Sequence, residues 1–394
     1  MESGKNWQGS ETIVEDNSLL VTRTGDTNLF VLNDSGREIW QAWRLGYDRK
    51  EIARLLADIY EADKDQLLED VDQAICEWQT KGLIADQDNS AGLHEHKPIV
   101  ENLKSTARLP VSEWYSRRSY RLYDFNFDLY FETQGLDAVV HPVFSHLEIQ
   151  SSRKPDAHFE LLNGDSGLVL QNRSIVKTEI PTTQALAMVT FTEVALAAYQ
   201  GRDNLMVFHA AAVASGDACV VLPGAGGSGK STLTTALLDR GFNYLSDDVV
   251  PIDRKSQKAV PMPFSLNLKS GSRKVLKNIL ARWPQQPTEY SWDGRRVWYL
   301  NPIHDQHIAT NKLYQVMLLV FPEWGMNNQT ILTPLTTIQK IERLIAGNSL
   351  LGNSVGSQLT EELINWLKYI PAYSLQYASL KQAVTTVEDL LMHK

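Results

Sequence analysis

The chain has 394 residues, long for one domain and comfortable for two or three. At 43% hydrophobic and 22% charged it reads as an ordinary soluble globular protein, and its net charge of −9 excludes a general nucleic-acid binder, which needs a surplus of Lys and Arg. Two cysteines, Cys76 and Cys219, make neither a zinc site nor a disulfide framework; both sit in apolar runs and are expected as buried free thiols.

The first residues, "MESGKNWQGSET", are polar and lack the apolar region of a signal peptide. No apolar run approaches membrane-spanning length, so no membrane contact is expected and the cytoplasm is the expected compartment. "SLLVTRTGDTNLFVLN" predicts two short strands around a turn at Thr24-Gly25-Asp26. Three short amphipathic helices follow. Ser35 and Glu38 are spaced as a capping box for the first, which Gly46 stops. Asp48 and Glu51 open the second, with Ile52, Leu55, Leu56 and Ile59 at helical spacing. Asp65 starts the third, where Leu68, Val71, Ile75 and Trp78 make one stripe and Gly82 ends it. From Asp48 to Asp88 there are twelve acidic and five basic residues, read either as solvated helix faces or as a docking face for a basic partner. The stripes must pack on each other and on the hairpin, giving a small α+β domain without a nucleophile, acid–base pair or ligand cluster.

"LFVLNDSGREIWQAW", "EIARLLADIY" and "DVDQAICEWQTKGLI" resemble the PqqD family over about Ser18 to Ala85. The resemblance implies a winged-helix-like domain that binds the leader segment of a ribosomally made precursor peptide. The leader would add as a strand to the hairpin edge, with backbone hydrogen bonds for affinity and side-chain pockets for selection. Leu29, Phe30, Val31 and Leu32, with Val71, Ile75 and Trp78 on the third helix, would form the groove; plain core packing is the other reading of these residues.

"DQDNSAGLHEHKPIVENLKSTARLP" reads as a linker. His94 and His96 lie two apart with no further ligand cluster, which is too little for a metal site. From Val111 the composition changes: "YRLYDFNFDLYFET" alternates like a strand, and "HFELLNGDSGLVLQN" predicts a hairpin turning at Gly-Asp-Ser-Gly. Ala185 to Tyr199 is Ala-rich and helical.

Gly224-Ala225-Gly226-Gly227-Ser228-Gly229-Lys230-Ser231 satisfies the phosphate-binding pattern G-x-x-x-x-G-K-[ST]. "DACVVLP" before it reads as a buried strand and "STLTTALLDRGF" after it as a helix ended by Gly241, which is the order the motif requires. Glycines let the loop fold so that its N–H groups point inward at phosphate oxygens, and the helix N-terminus adds positive potential. Lys230 would reach the outer phosphates, Ser231 would place a hydroxyl on Mg²⁺, and Thr232 would support the phosphate contacts. No N-K-x-D guanine signature is present. Instead a short strand, Tyr244-Leu245-Ser246, ends in Asp247 and Asp248, two carboxylates suited to holding Mg²⁺ and to taking a hydroxyl proton. His209, upstream, either sits near this pair or caps a strand.

His209 to Pro251 resembles the HPr kinase/phosphorylase family, and more closely its related kinases: a histidine, a glycine turn, the P-loop strand and helix, then an Asp-Asp pair. The resemblance implies a core like that of phosphoenolpyruvate carboxykinase, transfer of phosphate from ATP to a serine of a protein, Asp247 as base and Asp248 as metal ligand. The chain lacks the glutamate-bearing signature and the phosphorolysis loop of true HPr kinases, so reversal and HPr itself as substrate are not implied. In their place stand "PMPFSLNLKSGSRKVL" and "DGRRVWYLNP", whose Lys269, Arg273, Arg295 and Arg296 are candidate phosphate or substrate contacts or plain surface. Downstream, "LYQVMLLVFPEW" predicts a strand, "TTIQKIERLIAG" a helix capped by Thr336 and Gln339, and "YSLQYAS" with "LKQAVTTVEDLLMHK" a strand and terminal helix.

The expected organisation is therefore a PqqD-like leader-binding domain over residues 1–90, a linker over 91–110, and an α/β HPr kinase-related P-loop domain over 111–394 with core motifs at 205–251. The expected function is an ATP- and Mg²⁺-dependent serine kinase of a ribosomally made peptide, of the kind found with lasso peptides. A kinase of a small metabolite and a nucleotide-gated peptide-delivery protein are the alternatives. The oligomeric state stays open.

Overall fold

The computed structural model describes residues 7–14, 18–23, 29–84, 109, 113–150, 154–173, 175–283, 287–292, 294–302, 312–325, 329–347, 350–351 and 357–392. The turn expected at residues 24–26, His94, His96 and all of the 91–110 linker except Leu109 lie outside them. Contacts divide the chain into two units: Met1–Ile99 with Thr336–Ile345 and Gly352–Tyr369, and Val100–Leu335 with Ala346–Leu351 and Ile370–Lys394. Two late segments thus belong with the N-terminal residues, which a division at the linker alone does not anticipate.

In the first unit, β1 (Gly9–Ile13), β2 (Leu19–Arg23) and β3 (Leu29–Leu32) form an antiparallel sheet in that order, so β3 is an edge. The polar sequence of β1 gives no strand signal; it is recruited by pairing with β2. Helices α1 (Asp34–Leu45), α2 (Arg49–Tyr60) and α3 (Lys64–Thr80) follow. Asn33, not Ser35, caps α1: its side chain accepts the Gly36 N–H at 2.9 Å. The Asp48–Glu51 capping box of α2 is present in both directions. Asp63, not Asp65, caps α3, accepting from the N–H groups of Asp65 and Gln66. Gly46 ends α1 in the left-handed region, at φ 93°. The inner face of α2 is Ile52, Ala53 and Leu56, while Leu55 and Ile59 are exposed. These pack with Val71, Ile75 and Trp78 of α3 around a fully buried Trp40. Cys76 lies on the outward side of α3 and is exposed, contrary to the expectation from its apolar flanks; the apolar run there serves the opposite helix face.

The second unit is mixed α/β. A six-stranded sheet contains β4 (Ser116–Leu122), β5 (Phe125–Phe131), β6 (Glu148–Ile149), β7 (Ala157–Asn163), β8 (Leu168–Gln171) and β9 (Val176–Ile180), in the order β6-β4-β5-β7-β8-β9. "YRLYDFNFDLYF" is thus a hairpin of two strands, not one. The expected β7–β8 hairpin forms, closed by the Gly164 N–H on the Gly167 carbonyl at 2.7 Å. Helices α4 (Gln134–Phe144) and α5 (Thr183–Gln200) cover this sheet; α5 is apolar nearly all round and correspondingly buried.

A ten-stranded sheet carries the phosphate motif. Its strands are β10 (Asn204–Phe208), β11 (Ala210–Ser215), β12 (Ala218–Pro223), β13 (Asn243–Ser246), β14 (Val250–Asp253), β15 (Lys258–Ala259), then, further along the chain, β19 (Tyr314–Trp324), β20 (Ile331–Pro334), β21 (Leu350–Leu351) and β22 (Ala372–Tyr377). Between them lie the small sheet β16 (Leu266–Leu268), β17 (Thr288–Trp292) and β18 (Arg295–Leu300), and helices α7 (Ser270–Val275) and α8 (Lys277–Leu280). Strands β12, β19 and β22 run parallel and adjacent. Helix α6 (Lys230–Leu238) and the terminal α11 (Leu380–Met392) pack on them through Leu233, Leu237, Ala383 and Val387. In the first unit, α9 (Thr337–Ala346) has the expected Thr336–Gln339 box, and α10 (Ser357–Tyr369) lies beside β1.

One buried histidine gives a pH test of this packing. His146 follows α4, and its Nε2 donates to the Pro263 carbonyl at 2.8 Å. Burial pushes its pKa down to about 4. Because the folded value lies below the unfolded one, this contribution is intact above pH ~6.5 and is lost as pH falls toward ~4, by up to about 3 kcal/mol. Replacing His146 with Gln should flatten the acid limb of the stability–pH curve, measured by urea unfolding between pH 4 and 7.

Candidate active site

The site is assembled from the loop after β12 and from residues flanking it on both sides of the sheet. The loop leaves a buried strand and enters α6, so its N–H groups gather at a helix N-terminus. Gly224, Gly227 and Gly229 have φ of 155°, 91° and 102°. At Gly229 a Cβ would also come within 2.5 Å of the Tyr377 hydroxyl, so glycine is required there on two counts. The Lys230 ammonium is folded back onto the loop, donating to the carbonyls of Gly224 and, at 3.2 Å, Ala225. Burial lowers its pKa, against the charges of Asp247 and Asp248, which raise it. The Thr232 hydroxyl donates to that of Ser272 at 2.8 Å and so ties α6 to α7.

Asp247 and Asp248 occupy the turn between β13 and β14. Ser246 builds this turn: its hydroxyl donates to the Val249 carbonyl at 2.6 Å and accepts from the N–H groups of Asp248 and Val249. The two carboxylates then have different surroundings. Asp247 is buried; one oxygen accepts the Asn267 N–H at 2.9 Å, and Oδ1 has no hydrogen-bond partner. Burial pushes its pKa up to about 7, against the Asn267 N–H and the nearby Ser231 hydroxyl, and the Asp248 charge adds to the rise. Asp248 faces His209, with Nδ1 3.0 Å from both its Oδ1 and its main-chain carbonyl. Although burial works against it, the His209 bond and charge, with Lys230 and Lys269, hold the Asp248 carboxyl below the usual range. The same pairing raises the pKa of His209.

His209, Lys230, Ser231, Asp247 and Asp248 thus come together around one loop. Of the four candidate basic residues, Lys269 joins them: a Cβ on Gly226 would lie 3.4 Å from its Nζ. Arg273 lies over the Trp298 ring, and Arg296 is exposed with Glu289 at 3.8 Å. Arg295 is placed on β18 opposite Trp292, and its side chain lies outside the described residues. Among the candidate groove residues, Phe30 and Val31 are half-buried on the β3 edge, while Leu29, Leu32, Val71, Ile75 and Trp78 belong to the core of their unit rather than to an exposed wall. Sequence reading missed Ser246 and Asn267, a serine and a main-chain amide whose roles come only from folding. It also missed Trp324 and Tyr377, which close the loop from the β19–β22 side.

The residues suit a divalent cation with a nucleotide phosphate. An ionised Asp248 and the Ser231 hydroxyl are hard oxygen donors, the loop amides with Lys230 and Lys269 are anion donors, and Asp247 Oδ1 is a buried carboxylate oxygen without a partner. Among the described residues no group of three or more His, Cys, Asp or Glu is placed to hold a metal ion.

Residues 19–84 match the family described as Coenzyme PQQ synthesis protein D (PqqD). The match spans β2 through α3, the small α+β part of the first unit. No curated protein matches the chain. Among the described residues no helix is long and apolar enough to cross a membrane.

Proposed function

We propose that the protein is an ATP- and Mg²⁺-dependent kinase that phosphorylates a serine hydroxyl of a ribosomally made precursor peptide, with the leader of that peptide docked on the PqqD-like region. The observation that carries the reading is the grouping of Lys230, Ser231, Asp247 and Asp248 at one glycine loop in a chain whose residues 19–84 match PqqD. The PqqD match supports a peptide partner in a peptide-modification system; the loop supports the chemistry. Among the described residues β3 is an edge strand, to which a leader strand could add. Holding the leader raises the local concentration of the acceptor and relaxes what the active site must recognise.

Ser231 and Asp248 would hold Mg²⁺, which when bound would supply charge neutralisation for the phosphoryl group that ATP donates. The loop amides and Lys230 hold the phosphate oxygens and stabilise charge on the departing side. Asp247 Oδ1, free of other bonds and with a pKa near 7, accepts the serine proton. His209 fixes the Asp248 carboxylate in place.

The test is intact-mass spectrometry of precursor peptides encoded beside this gene, incubated with the full chain, ATP and Mg²⁺. A gain of one phosphate that disappears when the leader is removed supports leader-guided transfer. Consumption of ATP with no peptide gaining mass moves the assignment to a metabolite kinase or a nucleotide-gated delivery protein.

A further inference from the structure

Resting on the nucleotide reading above, we infer that Trp324 is the stacking platform for the base of the nucleotide whose phosphates lie in the 224–231 loop. The base needs a site of its own, because the loop's amides and Lys230 recognise only phosphate. The carboxylates and His209 reach the loop from the β11–β13 side, where phosphate transfer would occur. The other end of the nucleotide must leave by a different side, and β19 provides it.

β19 runs parallel to β12 and, after a register shift between Val316 and Leu318, pairs as far as Leu319 opposite Val221. It then continues to Trp324, level with the loop instead of the strand. The Trp324 N–H donates to the Ser228 carbonyl at 3.0 Å, which locks this end of β19 to the loop backbone. A Cβ on Gly229 would lie 3.4 Å from the Trp324 Cβ, so the indole is attached directly beside the phosphate cradle.

The ring is supported and open. Tyr377, buried on β22, stands edge-on to it at 5.3 Å and 76°, and directs its hydroxyl to the Gly229 carbonyl. Glu323, the preceding residue, is held by Ser374 and Gln376, so the strand end is fixed on both sides. Trp324 nevertheless remains 44% exposed, whereas Val316 and Leu318 to Phe321 of the same strand are buried. A lone exposed aromatic is ordinary. One tied by its backbone to the glycine loop, braced edge-on by Tyr377 and still partly exposed, matches what a planar base requires. Stacking accepts any base, so the inference names a nucleotide and not a particular base.

The experiment is calorimetric binding of Mg-ATP and of Mg-tripolyphosphate to the full chain and to Trp324→Ala and Trp324→Phe. Trp324→Ala should weaken ATP at least about fivefold and leave tripolyphosphate unchanged, since only ATP carries a base. Trp324→Phe should recover most of the loss. Unchanged ATP affinity in Trp324→Ala overturns the inference. An equal loss for both ligands also overturns it, because Trp324 would then act only through the loop backbone at Ser228. If the wild-type chain binds neither ligand, the phosphate-site reading itself fails, a result distinct from failure of the base platform alone.

Discussion

Replacing Lys230 with methionine should lower phosphate transfer at least about a hundredfold while shifting the unfolding midpoint by no more than a few degrees. Lys230 opens α6, is buried, and donates to the loop carbonyls of Gly224 and Ala225. Methionine keeps the aliphatic stem and removes the charge, so the packing of α6 through Leu233 and Leu237 is untouched. In the proposed reaction the charge stands where negative charge accumulates, in a site whose burial strengthens every electrostatic term. Asp247→Asn is the companion variant: it keeps the shape and the Asn267 hydrogen bond but removes the proton acceptor. It should abolish transfer while leaving ATP affinity within a fewfold of wild type, because in the proposed mechanism Asp247 acts on the acceptor and not on ATP. Initial rates with peptide and separate calorimetric titrations with ATP check both. Full activity in either variant would sink the kinase assignment.

The largest stability effect is expected at Trp40. It is fully buried, with Trp7, Trp43 and Trp78 at centroid distances of 5.1, 5.2 and 5.4 Å. Its indole N–H donates to Glu11 on β1 at 3.0 Å. Trp40→Ala removes a side chain that α1, α3 and β1 all use, and should cost about 3–5 kcal/mol. That is a large share of the roughly 5–15 kcal/mol a domain has in total. Trp40→Phe keeps much of the volume and the edge-on contacts and should cost far less. Hydrogen exchange of the α1, α2 and α3 amides in the full chain reads this unit by itself. Protection that is unchanged in Trp40→Ala would show that the aromatic cluster does not carry the core.

Local chemistry made much of the chain legible before any fold was known. The Asp48–Glu51 and Thr336–Gln339 boxes and the Gly164–Gly167 turn are short-range arrangements, and each forms as its spacing predicts. The caps at Asn33 and Asp63 were misplaced by two residues, because Ser35 and Asp65 offer equally good cap chemistry and only the path of the chain chooses between them. β1 was invisible: a polar segment becomes a strand when a neighbour supplies its hydrogen bonds. The exposure of Cys76 failed for a similar reason, since apolar neighbours in sequence do not say which helix face a residue takes.

The sequence by itself determined the glycine loop, the strand and helix around it, the Asp-Asp pair and the PqqD-like stretch, because glycine conformations, charges and helical spacing are properties of consecutive residues. Tertiary structure alone decided that Asp247 is buried on the Asn267 amide while Asp248 faces His209, that Lys269 reaches the loop while Arg273 and Arg296 lie elsewhere, and that Trp324 stands beside Gly229. These groups lie far apart in the chain. Their pKa values and partners depend on burial and distance, which no run of consecutive residues encodes.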